Sequence, residues 1–135
     1  NHPNENFITS YVDRDLTTIY LDADICIGQV SSHQRLQVTI PHKAFEAAFF
    51  SKVYISAKNS AIKEFASDSE VFFLDVPNPE SLSNAIIEIA GDRELSNRLG
   101  INFNRKYNQV ASQKVLGNQF DIWVKTLCQS ESDKI

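Results

Sequence analysis

The stretch RLQVTIPHKAFEAAFF, residues 35–50, places charged side chains just before and inside a helix that is otherwise apolar. Thr39 and Pro41 are typical of a helix start. Threonine can cap a helix, and the N–H group that proline lacks would have no partner at the first turn. The first-turn N–H groups then point outward at the positive end of the helix dipole, where Arg35 and Lys43 add bonds to phosphate oxygens. The stretch therefore predicts an anion site.

Glu46 lies three residues after Lys43 on the same predicted helix face, where its carboxylate can accept the hydroxyl hydrogens of a ribose. The same spacing also fits an ordinary i,i+3 surface ion pair, with Arg35 as a solvated loop residue. From spacing alone the surface pair is the more common arrangement, and both interpretations stay open. His33 and His42 fit exposed positions better than acid–base or metal-binding roles, since no carboxylate or cysteine near them completes a metal set.

The composition of the chain indicates one globular domain. Its 135 residues are 42% hydrophobic and 22% charged, which suits a single core. Thirteen basic and seventeen acidic residues are spread along the chain, so a nucleic-acid partner is not expected. The longest apolar run is far short of the roughly 20 residues that span a bilayer, and the N-terminus lacks signal-peptide features. Cys26 and Cys128 have no metal spacing around them and are predicted to be free thiols, which favours a reducing, cytoplasmic location.

Short apolar runs alternate with amphipathic segments along the chain. The predicted strands lie at residues 7–12, 24–28, 53–57 and 71–74. The second run looks too continuously apolar to have a solvent-facing side. Strands buried on both faces and separated by helices imply a parallel sheet between helix layers, so the predicted fold class is α/β. In such sheets ligands bind beyond the carboxyl ends of the strands, where the polar loop at 29–39 is expected.

Capping residues set the boundaries of the predicted helices in the first two thirds of the chain. Asp13 is the expected cap of a helix over residues 14–22, and Asn59 opens a short helix after the third strand. Asn78, with Pro79 at the first helical position, opens a longer helix. These signals predict where helices begin more firmly than where they end.

The C-terminal third reads as helical throughout. Asp92 is predicted to cap a short helix that Gly100 stops, and residues 102–128 are predicted to be helical with a break near VASQ or at Gly117. Residues 129–135 form a polar tail without enough apolar content to order itself.

Three segments together resemble a known fold family: NFITSYVDRDLTTIYLDADICIGQ, TIPHKAFEAAFFSKVYISAKNSAIKEF and VFFLDVPNPESLSNAIIEIAGDRELSNRLG. With the final helical stretch they resemble the second half of the C-terminal domain of GT-B glycosyltransferases, in particular the retaining, family 4-like group that uses nucleotide sugars. The resemblance covers nearly the whole chain. It implies a partial, Rossmann-like nucleotide-sugar-binding domain over residues 1–128.

The resemblance also implies roles for residues of the opening stretch. Glu46 of AFEAAFF falls where the family has the glutamate of LEAMA, which bonds the ribose hydroxyls of the donor. The main-chain amides of residues 39–43 fall where the family holds the diphosphate. The implied donor-binding residues are Thr39, Ile40, His42, Lys43 and Glu46, and the implied catalytic residues are Arg35 and Lys43, which stabilise charge on the departing diphosphate.

The chain also departs from the family pattern. Most such enzymes carry a further glutamate eight positions before the ribose-binding one, and this chain has Val38 at that position. The acceptor-binding domain and the first two strands of the nucleotide-binding domain are not found, so the chain looks like an inactive piece of a transferase. Its expected partner is a UDP- or GDP-linked sugar, with no cofactor and no metal, and with the acceptor bound by a domain that is absent here. A gap left in the sheet predicts that the chain dimerises or rearranges to fill it. A lipid-linked acceptor, with peripheral membrane association of the parent enzyme, stays open.

Two other interpretations remain. A non-hydrolysing sugar-nucleotide epimerase shares the GT-B fold. A flavodoxin-like or receiver-like signalling or interaction module without catalytic activity is suggested by VYISAKN and FFLDVPNPESL, which superficially resemble receiver motifs. However, Val76 stands where a receiver has its lysine, and no acidic pair follows the first strand.

Overall fold

The structure, a computed structural model, describes residues 15–132, with side chains described as far as residue 129. Its sheet has three parallel strands in the order β1-β2-β3. The strands are β1 (Ile25–Ile27), β2 (Val53–Ala57) and β3 (Phe72–Leu74). Each lies within one residue of its predicted bounds, and the predicted α/β class is confirmed. The strand predicted at 7–12 lies outside the described residues.

Helices connect and flank the strands. In chain order they are α1 (Leu16–Asp22), α2 (His42–Phe49), α3 (Ser60–Phe65), α4 (Pro79–Gly91), α5 (Arg93–Val110) and α6 (Gln113–Ser132). The loop between β1 and α2 also contains a short 3₁₀-helix (Gln34–Val38). Because all three strands run in the same direction, their carboxyl ends meet at one edge of the sheet, and that loop leaves from this edge.

Side-chain caps begin several helices as predicted. The Asn59 side chain accepts a hydrogen bond from the N–H of the third residue of α3, and Asn78 forms a reciprocal capping box with Ser81 at the start of α4. The predicted cap of α1 was wrong. Asp15, not Asp13, accepts a bond from the N–H of Thr17 at 3.2 Å, because it directly precedes the first helical turn.

Gly100 does not stop a helix, contrary to the prediction, since α5 continues through it to Val110. A Cβ at Gly100 would lie only 2.2 Å from the carbonyl oxygen of Ser51, so the glycine allows α5 to approach the turn before β2. Gly117 likewise lies inside a helix, and the predicted break falls at VASQ, where α5 ends at Val110 with Ala111 as its C-cap. The last helix, α6, continues past the predicted start of the polar tail.

The core forms on both faces of β2, whose five residues are all buried. One face packs Tyr54 against the alanines of α2 and Phe103 of α5, and the other packs Val53 and Ile55 against α4 and α5. The second predicted strand, which is β1, was predicted to lack a solvent-facing side, and this was wrong. It is half-buried, with Ile27 42% exposed, because β1 is an edge of the described sheet.

The final helix exposes a row of large apolar side chains. They are Leu116, Phe120, Ile122, Trp123, Val124 and Leu127. None of the helices between residues 15 and 132 combines the length and the apolar character needed to cross a bilayer.

Candidate functional site

The loop from β1 to α2 is tied to the sheet at its beginning. The N–H of Gly28 donates to the Ile55 carbonyl at 2.7 Å, and the N–H of Ala57 donates to the Gln29 carbonyl at 2.8 Å. These bonds extend the pairing of β1 with β2 beyond the last strand residue. Farther along the loop, the Ser60 hydroxyl donates to the Gln37 carbonyl at 2.6 Å. The loop is therefore anchored at both the sheet and the start of α3.

The first turn of α2 lacks a side-chain cap among residues 15–129. Pro41 is the N-cap, with an extended backbone, and no side chain of that range accepts from the first-turn N–H groups. The prediction that Thr39 caps the helix was wrong, because its hydroxyl donates to the Arg35 carbonyl at 3.3 Å instead. An uncapped helix start presents free N–H groups and the positive end of the dipole to whatever lies there.

Lys43 reaches from the first turn of α2 back to the end of β1. Its Nζ donates to the Gly28 carbonyl at 3.2 Å, which places the ammonium group beside the carboxyl end of the strand. Gly28 is itself required by packing, since a Cβ there would lie 2.3 Å from the hydroxyl oxygen of Tyr54. The strand end, the lysine and the buried tyrosine thus form one compact group.

Glu46 points from the second turn of α2 toward α1. Its Oε2 accepts a hydrogen bond of 2.6 Å from the Tyr20 hydroxyl. The Tyr20 ring stacks on Phe50, with centroids 5.3 Å apart and planes within 5° of parallel. Burial, and next the hydrogen bond to Glu46, raise the pKa of Tyr20 above its ordinary range. Lys43 and Glu46 therefore bond to β1 and α1 rather than to each other.

Two further titratable groups lie beneath α2. Burial raises the pKa of the half-buried Cys26 thiol, although the nearby Lys52 charge opposes this effect. Tyr54 is fully buried and its hydroxyl has no hydrogen-bond partner within the described residues. Burial, and then the neighbouring Cys26, raise the pKa of Tyr54 as well. Cys26 and Cys128 are not joined by a disulfide, as predicted.

The remaining predicted site residues lie in the loop between β1 and α2 and in the first turn of α2. Arg35 is exposed in the 3₁₀-helix, where its N–H donates to Nδ1 of His33 at 3.2 Å, so His33 serves as a cap. Ile40 is half-buried and packs on the core next to α2. His42 and Glu46 line a shallow pocket of about 310 Å³ that is also lined by Tyr107 of α5. In the region from residue 15 to residue 132, no group of three or more His, Cys, Asp or Glu is arranged to hold a metal ion.

Neither Tyr20 nor Gly28 was predicted to be part of this site. Tyr20 meets Glu46 across 26 residues of chain, and no local spacing signals such a contact. Gly28 did carry a signal, since a glycine at the end of a strand often marks a place where the backbone is closely approached.

The three-stranded parallel sheet and its flanking helices have the Rossmann-like fold of a GT-B C-terminal domain. Among solved structures, the chain is similar to sucrose-phosphate synthase from Thermosynechococcus elongatus, a GT-B glycosyltransferase, with a TM-score of 0.72 and 18% sequence identity. The match covers 85% of this chain and 28% of the synthase chain. No family model matches the chain, and no curated protein matches it in sequence. The likeness thus establishes a glycosyltransferase-like fold.

Proposed function

We propose that this chain is the donor-binding part of a GT-B glycosyltransferase, which moves a sugar from a nucleotide sugar to an acceptor glycan, lipid or protein. The observation that carries the proposal is the uncapped start of α2 at the carboxyl end of β1, with Lys43 and Glu46 both held in place beside it. Ligands of open α/β sheets bind at this edge. The similarity in fold to a sugar-transferring synthase supports the same assignment.

The diphosphate of the donor is proposed to lie over the first turn of α2. The main-chain groups of residues 39–43, including those of Thr39, Ile40 and His42, surround it, and the free N–H groups of the turn donate to its oxygens. Lys43 needs only to turn from the Gly28 carbonyl to add a charge-assisted bond. Arg35, exposed in the preceding loop, supplies the second cation.

In the reaction, the bond between the anomeric carbon of the sugar and the diphosphate oxygen breaks, and its electron pair stays on the oxygen. The acceptor hydroxyl oxygen forms the new bond to the anomeric carbon, and its proton passes to the departing diphosphate oxygen. Arg35 and Lys43 stabilise the negative charge that grows on the departing diphosphate, which lowers the barrier to bond breaking. No metal or cofactor enters this scheme. Because the acceptor is bound by another domain, the chain alone is expected to be inactive.

The test is a calorimetric titration of the chain with UDP, GDP and their sugars, repeated on Lys43→Ala and Glu46→Ala. One nucleotide series should bind, and Lys43→Ala should weaken it by about tenfold or more, because a charged hydrogen bond is worth about 1.5–3 kcal/mol. Lys114→Ala, which removes an exposed lysine of α6, is the matched control and should bind like the wild type. The proposal fails if neither this chain nor a longer protein containing it binds any of these nucleotides.

A further inference from the structure

The contact between α1 and α2 holds Tyr20 at both ends of its side chain. The ring stacks nearly parallel on Phe50, and the hydroxyl donates to Oε2 of Glu46 at 2.6 Å. An O–H bond of this length to a carboxylate belongs to the short, charge-assisted class. Tyr20 therefore fixes the direction of the glutamate side chain from outside its own helix.

The bond leaves half of the Glu46 carboxylate available. Oε2 is engaged, whereas Oε1 has no hydrogen-bond partner in the stretch from residue 15 to residue 132. Each carboxylate oxygen has about two acceptor sites, so Oε1 can receive two hydroxyl hydrogens from neighbouring carbons of one ligand. A glutamate without such a tether samples several rotamers, and ordering it on binding costs affinity.

We propose that Tyr20 is a positioning residue, which fixes the Glu46 carboxylate so that Oε1 accepts the ribose hydroxyls of the bound nucleotide. This inference rests on the proposed function, because it concerns the same donor site. The tyrosine does not touch the reacting atoms. It acts through Glu46 and lowers the cost of ordering the carboxylate when the nucleotide binds.

The protonation of Tyr20 suits this role. Burial and the adjacent glutamate raise the pKa of its hydroxyl, so the group remains a donor throughout the neutral range. An ionised carboxylate has no proton to donate, so in this bond Tyr20 is the donor and Glu46 is the acceptor.

A merely structural role for Tyr20 would be to attach α1. That helix has no buried residue, and a second bond, from Nζ of Lys52 to the Leu21 carbonyl at 3.0 Å, also ties it down. A structural role predicts that loss of the hydroxyl weakens every ligand alike. A positioning role predicts that only ligands with ribose hydroxyls are affected.

The experiment compares Tyr20→Phe with wild type, using whichever nucleoside diphosphate the wild type binds and its 2′,3′-dideoxy counterpart. The substitution keeps the ring that stacks on Phe50 and removes only the hydroxyl. We expect about a two- to tenfold loss of affinity for the ribonucleotide, the cost of ordering one long side chain, and no change for the dideoxy counterpart. Lys114→Ala is the control, since that exposed lysine of α6 lies outside the proposed site. It should behave like the wild type with both ligands.

Each other outcome overturns a defined part of the argument. If Tyr20→Phe binds both ligands as the wild type does while Glu46→Ala weakens binding of the ribonucleotide alone, the positioning role is wrong and the donor site stands. An equal loss for both ligands assigns Tyr20 to the fold alone, and a gain of affinity shows that the hydroxyl competes with the ribose. If the wild type binds no nucleotide, the proposed function fails, and the role of Tyr20 fails with it.

Discussion

Replacing Gly100 by alanine should lower the free energy of unfolding, although alanine is normally the better helix former. Gly100 is buried in the middle of α5, and an added Cβ would lie 2.2 Å from the carbonyl oxygen and 3.0 Å from the carbonyl carbon of Ser51. These atoms belong to the backbone, and Ser51 already has a positive φ of 56°, so the turn has little freedom to move away. Overpacking costs about 1–3 kcal/mol, and we take the upper end because no side chain can rotate aside. Subtracting about 1 kcal/mol for the better helix propensity of alanine leaves a net loss of about 2 kcal/mol.

Urea unfolding followed by circular dichroism measures this change, with Gly117→Ala as the matched control. Gly117 lies in α6, where an added Cβ meets nothing within 4 Å, so alanine should stabilise the chain there by up to about 1 kcal/mol. The same glycine-to-alanine substitution is thus expected to lower the free energy of unfolding at Gly100 and to raise it at Gly117. A Gly100→Ala protein as stable as the wild type would refute the reasoning, because it would show that α5 or the Ser51 turn adjusts without cost.

Two further predictions concern single polar groups. Tyr54→Phe removes a buried hydroxyl without a partner within the described residues, and should raise the free energy of unfolding by about 1 kcal/mol at pH 7. Burial raises the pKa of Tyr54, so the unfolded chain releases this proton at a lower pH than the folded chain does. The wild type therefore loses stability above about pH 10, and the variant should lose less. If urea titrations at pH 7 and pH 10.5 show equal losses of stability for the two proteins, the reasoning is contradicted. Asn78→Ala breaks the capping box with Ser81, and should cost about 1 kcal/mol, or roughly 4 °C in the melting temperature, whereas Asn84→Ala, at an exposed position inside α4, should not lower it.

The sequence was a good guide wherever a residue acts on its own neighbours in the chain. Asn59, Asn78 and Pro79 begin their helices as predicted, because a cap bonds to N–H groups two or three residues away. The same logic cannot choose between two aspartates near one helix start, which is why Asp13 was predicted as the cap instead of Asp15. A local signal finds the element more securely than its first residue.

Errors arose where a contact joins distant segments. Gly100 was interpreted as a helix stop because glycine often follows a helix, but its actual role is to admit the Ser51 turn, which lies about fifty residues earlier in the chain. In the candidate site, the sequence placed Lys43 and Glu46 on one helix, but it did not predict the groups to which they bond. The Gly28 carbonyl and the Tyr20 hydroxyl reach them only through the fold, and no periodicity encodes such pairs. Whether the predicted residues bind a donor stays a prediction.

The lack of buried residues in α1 has a consequence for the motions of the molecule. Segments that bury little open locally at a small free-energy cost, whereas β2, with all five residues buried, opens only when the domain unfolds. Amide hydrogens of α1 should therefore exchange with solvent through brief detachments that leave the sheet intact. Each detachment withdraws the Tyr20 hydroxyl and releases the Glu46 side chain. A ligand that binds the tethered carboxylate more tightly shifts this equilibrium toward attachment, so hydrogen exchange in α1 reports on occupancy of a site on the neighbouring helix.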